Sequence, residues 1–393
     1  MPSFEPFAAL RYAEEIDLNE VTAPPYDVIG PAARRELAAR TAYNIVHVDL
    51  PDEAEGPGRY AAAARRLAAW AEEGVLVTDN EPGFYVYAMG YRDGSGRPRQ
   101  TVGVIGALGL VPPGDGVLPH ERTTPKAKSD RLKLLRATGA NLSPIWGLSL
   151  AEGLGALCEP SGPPVGRATD ADGVHHRLWR VTAPAMVEAL RERVASAPVV
   201  IADGHHRWET SLAYRDEVGA AGNAGPADAT LALVVELSAD QLDVRPIHRL
   251  LTGLDGVDVL DSLAPWFDAL ETHPADASLP ARMDDAGALA LVVPGGVARL
   301  LRPRAAAFPD DTPDLDSSRL DMARAALPAH EVAFEAELAE VLAAVEGGGA
   351  GVLLRPATVA QIAATAGDGE RMPPKTTYFL PKPRTCFVLR ELA

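Results

Sequence analysis

Residues 199–217 read VVIADGHHRWETSLAYRDE. Four apolar residues, Val199, Val200, Ile201 and Ala202, run up to Asp203, and a helix-like stretch follows from about Trp208. A short apolar run that ends at polar turn residues predicts a buried strand, and an acid such as Glu209 in the first turn suits a helix start. The segment Asp203-Gly204-His205-His206-Arg207 therefore falls between a strand end and a helix beginning. That order of strand, loop and helix predicts an α/β chain.

Working outward, FYVYAMGYR (84–92), TVGVIGALGLV (101–111), SPIWGLSL (143–150), HHRLWRVT (175–182) and LALVVELS (231–238) carry the β-branched and aromatic residues of strands. MVEALRERVAS (186–196) and RYAAAARRLAAWAEEGVL (59–76), the latter closing on Gly74, suit helices. TAPPYDVIG (22–30) reads as extended, because proline disfavours the helical conformation at the residue before it, and a helix follows. NIVHVDLP (44–51) reads as a short strand ending at Pro51. Beyond about residue 255 the texture changes to Ala-rich helices and short strands, among them ALALVVPG (288–295) and GAGVLLRP (349–356). KTTYFLPKPRTCFVLREL (375–392) holds two strand-like runs around Pro381, Lys382 and Pro383. The expected fold class is α/β of mixed α+β type, built on a mixed sheet, with a smaller C-terminal α/β region. A chain of 393 residues exceeds the size at which one core keeps growing. Two domains are expected, 1–255 carrying the phosphate or nucleotide site and catalysis, and 256–393, whose last strands pack back on the first.

A formal charge of −17 opposes broad binding to nucleic acid or to an anionic membrane and points to a small-molecule partner. Cys158 and Cys386 are the two cysteines, which leaves no disulfide framework and no paired zinc motif. The start of the chain carries acids where a secretion signal needs a basic segment, and no run reaches the roughly 18 apolar residues of a membrane span. A cytoplasmic location is expected.

Helix starts expose backbone N–H groups and a partial positive charge, which suits them to anions. Gly204 would let the backbone approach a phosphate, and Arg207 would clamp it with parallel hydrogen bonds. Asp203 would hold Mg²⁺ or orient a histidine, and one of His205 and His206 would move a proton while the other is structural. His120 and Glu121 form a second acid/base candidate. They precede the densest basic cluster in this acidic chain, where Lys126, Lys128 and Arg131 would attract a polyphosphate. Tyr26, Asp27, Asn44, His47 and Asp49 form a weaker group. Lys375, Lys382 and Arg384 add positive charge late in the chain. His175, His176 and Arg177 imitate the main box but lie inside an apparent strand with no helix start after them, so they read as structural. No P-loop, dinucleotide glycine fingerprint, His-Glu-x-x-His or Gly-x-Ser-x-Gly occurs in the sequence.

APPYDVI (23–29), NIVHVDLP (44–51), LPHERTTPKAKSDRLKLLRATGANLSPIW (118–146), IADGHHRWETSLAYRDE (201–217), HRLL (248–251) and MPPKTTYFLPKP (372–383) resemble segments of the domain-of-unknown-function family DUF1015. The box from Asp203 to Arg207 is also similar to the nucleotide-binding box of ParB/sulfiredoxin-like proteins, among them free-serine kinases that use ADP or ATP. That second resemblance implies a strand-to-helix phosphate site. The resulting expectation is a kinase-like phosphotransferase using ADP or ATP with Mg²⁺ on a small hydroxylated metabolite such as serine. The competing expectations are a phosphatase of a small phosphorylated metabolite and a nucleotide-binding regulator without turnover.

Overall fold

In the computed structural model, the structure describes residues 1–94, 96–112, 114–119, 125–219, 225–367 and 372–392, with the side chains of 125–128 and 366 excepted. The chain divides into two compact units. One takes Met1–Pro119, the described chain on to Asp243, and the segment from Pro381; the other takes Val244–Leu380.

The first unit is built on one sheet of nine strands, counted among the described residues. They are β1 (Phe4–Glu5), β2 (Phe84–Arg92), β3 (Pro98–Gly109), β4 (Val117–Pro119), β5 (Ile145–Ser149), β6 (Gly166–Thr169), β7 (His175–Val181), β8 (Val199–Asp203) and β9 (Ala229–Glu236). They lie in the order β4-β8-β5-β9-β3-β2-β7-β6, with β1 added on β3. The sheet is mixed, since β8 is parallel to β4 and β9 parallel to β5 while the other neighbours are antiparallel. Its central strands are buried on both faces, so they read as continuous apolar runs rather than alternating ones.

The helices of this unit include α1 (Pro31–Arg40), α2 (Val46–Asp49), α3 (Arg59–Glu72), α4 (Pro125–Thr138), α5 (Pro184–Ala195) and α6 (His205–Gly219), of which all but α5 carry or support the site. Helix α3 buries Ala63, Leu67 and Trp70, which share one face at helical spacing. It stops at Gly74, whose φ of 73° lets Val75 N donate back to the Trp70 carbonyl at 2.9 Å. Helix α4 packs between α3 and α6 and buries Leu134 and Leu135. The segment 385–390 is laid into this unit, with Thr385 N donating to Ala23 O at 2.8 Å and Leu389 N to Leu10 O at 2.8 Å.

Two local readings change. NIVHVDLP is no strand: Val46–Asp49 is a helical turn. Asn44 begins it, its Oδ1 accepting from Val46 N at 3.0 Å and its Nδ2 donating to Glu20 O at 2.6 Å. These bonds of the buried Asn44 side chain, just ahead of the turn, outweigh the β-branched composition of Ile45, Val46 and Val48. Helix α6 also begins at His205 rather than near Trp208, so the two histidines belong to its first turn.

In the second unit, strands β10 (His248–Thr252), β11 (Phe267–Pro274), β12 (Leu289–Val293), β13 (Val297–Pro303), β14 (Glu331–Glu335) and β15 (Ala350–Leu353) form an antiparallel sheet ordered β11-β13-β12-β15-β10-β14. Leu251, Phe267, Leu289, Leu291 and Val352 belong to one of its apolar clusters. The chain is therefore mixed α/β with a large mixed sheet. No helix among the described residues is long and apolar enough to cross a membrane.

Candidate functional site

Strand β8 ends in a bulge. Ile201 stands opposite Gly147 and Asp203 opposite Trp146, so two steps along β8 match one along β5. A bulge re-aims the side chain that follows it, here the Asp203 carboxylate. Gly204 comes next with φ of 89°, a region that side-chain-bearing residues rarely adopt. A Cβ on Gly204 would also lie only 3.0–3.1 Å from the Arg207 guanidinium, which packs over the bare Cα. Glycine is thus required here twice, by the turn and by the arginine.

The folded-back Arg207 donates from NH2 to Asp203 Oδ2 at 2.6 Å, and from NH1 to Ser143 Oγ at 3.1 Å and to the Pro144 carbonyl. Lys382 Nζ donates to the other Asp203 oxygen. Asp203 and Lys382 each have side chains 13% exposed and Arg207 has 11%, so the three charges sit largely out of water. Burial pushes the Asp203 carboxyl up, but Lys382 and Arg207 outweigh it and hold the group well below the usual carboxylate range. His205 is near enough to act on Asp203 in the same direction. One carboxylate therefore fixes two cations at the start of a fifteen-residue helix.

The third sequence cluster and the basic helix converge on a neighbouring group. Arg131, on α4, is 6% exposed and lies under the Tyr26 ring, 4.1 Å from its centroid. It donates to the Asp49 carbonyl at 2.6 Å, to Asp49 Oδ1 at 3.3 Å, and to Asp130 Oδ2 from Nε and NH2 at 3.0 and 2.7 Å. Asp130 Oδ1 in turn accepts from Tyr60 at 2.7 Å and Arg59 at 3.2 Å. Burial pushes the Asp49 carboxyl up against the pull of Arg131 and Arg207. It also pushes the Tyr26 hydroxyl up to about 12, opposed by Arg207 and Arg131, so Tyr26 lies within the field of both arginines. A small cavity of about 50 Å³ beside this group is lined by Arg131, Ser143, Arg207, Thr210, Ser211 and Thr230 among others.

The structure thus brings together Asp203, Gly204, His205, Arg207, Lys382 and Ser143, and next to them Tyr26, Asp49 and Arg131. His206 shares the first turn of α6 with His205. His120 and Glu121 lie outside the described residues, as do the side chains of Lys126 and Lys128. His47 turns away: its Nε2 meets the Ala38 and Thr41 carbonyls at 3.2 and 3.3 Å, at the end of α1. Arg384 is buried against Thr22, and Lys375 belongs to the second unit. As arranged, each Asp203 oxygen accepts from a cationic donor, and these two neighbouring cations oppose a Mg²⁺ ion bound directly to it. Among the described residues no group of three or more His, Cys, Asp or Glu is placed to hold a metal.

Sequence reasoning passed over Ser143 and left Lys382 unplaced. The signal was the run Pro381-Lys382-Pro383, in which two prolines stiffen the backbone on either side of a single cation.

Residues 4–323 match the family described as "Protein of unknown function (DUF1015)". No curated protein matches the chain. Among solved structures, a conserved hypothetical protein from Pyrococcus furiosus is similar at 14% identity and a TM-score of 0.36, covering 70% of this chain and 93% of that one. A free serine kinase in complex with AMP is similar at 16% identity and a TM-score of 0.36, over 70% and 89% of the two chains. SbnI with a C-terminal truncation, from Staphylococcus aureus, is similar at 11% identity and a TM-score of 0.41, over 73% and 87%. Likeness at these scores carries no argument about chemistry.

Proposed function

The chain belongs to the DUF1015 family, and for this member we propose a cytoplasmic phosphotransferase that binds ADP or ATP at the start of α6 and phosphorylates a small hydroxylated metabolite such as serine. One observation carries the proposal. The Asp203 carboxylate holds Arg207 and Lys382 together beside a glycine of positive φ, at the N-terminal end of a long helix.

One buried anion against two cations leaves positive charge, and the first-turn N–H groups of a helix add to it. Phosphate oxygens are the complementary ligand. The resemblance of this box to nucleotide-binding boxes supports a nucleotide as their source. Phosphoryl transfer depends chiefly on positioning and charge neutralisation, and a pre-organised pair of cations supplies both without reorganisation during the reaction.

Each residue then has a distinct part. Gly204 lets backbone approach the phosphate, while Arg207 and Lys382 neutralise its oxygens. Asp203, held ionised, is too weak a base to take a proton at neutral pH and is a positioning residue for the two cations. The acceptor hydroxyl oxygen forms the new P–O bond, the bond to the leaving nucleotide oxygen breaks, and the hydroxyl proton passes to the neutral imidazole of His205, whose resulting positive charge the nearby Asp203 carboxylate favours. A Mg²⁺ ion would be the counter-ion of the nucleotide. When bound it supplies charge neutralisation.

Phosphorus NMR of ATP or ADP incubated with the protein, Mg²⁺ and a panel of hydroxylated metabolites tests this. The expected result is a new phosphate ester, lost in Arg207→Ala and Lys382→Ala. Release of inorganic phosphate alone, unchanged by any acceptor, would replace transfer by hydrolysis.

A further inference from the structure

A cleft of about 470 Å³ opens on the other side of Arg131, between the starts of α1 and α3, the turn after α2, and α4. Its volume falls in the range of about 300–1,000 Å³ typical of small-molecule pockets. Four arginines line it, Arg34, Arg35, Arg59 and Arg131, in a protein whose formal charge is −17. Three carboxylates, Asp52, Glu53 and Asp130, line it too, so cations outnumber anions there by one.

These arginines are held by the protein but keep donors in reserve. Arg34 spends Nε on Leu50 O at 2.9 Å and NH1 on Asp52 Oδ2 at 3.1 Å, leaving its NH2 group without an acceptor among the described residues. Arg35 spends only Nε, on Pro31 O at 3.3 Å. Arg59 spends only NH2, on Tyr60 and Asp130. Arg34 and Arg35 also stand in the first turns of α1, whose N-cap Gly30 supplies no side-chain acceptor. The reserved donors therefore face the same cleft as an uncapped helix start. Guanidinium forks fixed in this way match the paired oxygens of a carboxylate or phosphate.

Arg131 is the wall between this cleft and the small cavity beside Arg207. We propose that the cleft binds the acceptor substrate through an anionic group, a carboxylate or a phosphate, gripped by Arg34, Arg35 and Arg59. The assignment of the occupant as acceptor rests on the phosphotransferase reading above, whereas anion binding in the cleft does not. It makes the acceptor a small alcohol that carries a carboxylate or phosphate group rather than one without an anionic group.

Calorimetric titration tests it with glycerate as the carboxylate probe, glycerol 3-phosphate as the phosphate probe, and glycerol as the uncharged control. At least one anionic probe should bind the wild-type protein while glycerol does not. Arg35→Ala, at an exposed position, and Arg59→Ala should each weaken that binding at least about tenfold, as expected for a lost charge-assisted contact. Arg35→Glu should weaken it further, and ATP affinity should stay within about twofold in all three. The proposal is overturned if neither anion binds, if glycerol binds equally well, or if the arginine variants bind the anions like wild type. Arg207→Ala separates the two readings: loss of ATP binding with retained anion binding supports both. ATP binding that survives Arg207→Ala sinks the phosphate-box reading and leaves the anion cleft standing.

Discussion

The tripeptide His-His-Arg occurs at 175–177 and again at 205–207. In β7 its side chains alternate, with His176 fully buried and His175 and Arg177 exposed. His176 Nδ1 meets the Tyr87 hydroxyl at 2.8 Å, and its Nε2 meets Asp170 Oδ2 at 3.1 Å. Tyr87 Oη already accepts from Arg384 N at 3.1 Å, so its proton goes to His176 Nδ1, and the neutral imidazole donates from Nε2 to Asp170. At the start of α6, by contrast, the turn at Gly204 brings Arg207 back onto Asp203, the last residue of β8. The same tripeptide thus supplies His176 to a buried structural relay in one place and Arg207 to a cation clamp in the other. Backbone context, and not composition, assigns their chemistry.

The comparison can be broken most forcefully at His176. His176→Leu leaves Tyr87 and Asp170 without their partner and should cost about 3 kcal/mol of stability, read by denaturant unfolding, without changing nucleotide affinity. A loss of nucleotide binding in the folded variant would show that the two copies are not separate in role. Next come the glycines. Gly204→Ala should cost about 2 kcal/mol, because backbone strain adds to the contact with Arg207, and should also weaken nucleotide binding. Gly173→Ala, at φ of 77° with open space around it, should cost about 1 kcal/mol from backbone strain alone. Equal costs would remove the argument that the guanidinium needs the bare Cα.

Acid offers a gentler probe. Burial, joined by the charge of Arg384, lowers the His176 pKa against the pull of Asp170. The unfolded chain therefore takes up more protons than the folded one as pH falls below about 6.5, and stability should decline through that window. His248 in the second unit, lowered to about 4 by burial and Arg249, declines over the same range, so His176→Gln should remove only part of the slope. Asp203 acts lower: its stabilising contribution is present above the ordinary carboxylate range and is lost only as pH falls toward its depressed folded value. An unchanged slope in His176→Gln would contradict the neutral relay. The smallest effect belongs to Arg177→Ala, within about 0.5 kcal/mol of wild type, since Arg177 is exposed and its bond to Gln100 is 3.4 Å long.

Much of this contrast was legible in the sequence, because the signals were local. The apolar run before Asp203 marks β8, the alternating HHRLWRV marks β7, and glycine at 204 marks the turn. What was not legible depends on distant partners. Nothing near Asp203 in sequence announces Lys382, 179 positions later. NIVHVDLP misleads because its helical turn is secured by the Asn44 side chain, an interaction that composition does not reveal. Arg131 was picked out for its charge, but its engagement by Asp49, Asp130 and Tyr26 needed the packing of α4.

The central claim is that the second His-His-Arg, and not the first, holds phosphate. Titration calorimetry with ATP and ADP in Mg²⁺, on wild type, Arg177→Ala and Arg207→Ala, tests it most directly, with melting temperatures taken on the same samples. Wild type and Arg177→Ala should bind equally, and Arg207→Ala should lose about tenfold to a hundredfold. Wild-type protein that binds neither nucleotide, or Arg207→Ala that binds as wild type does, would contradict it.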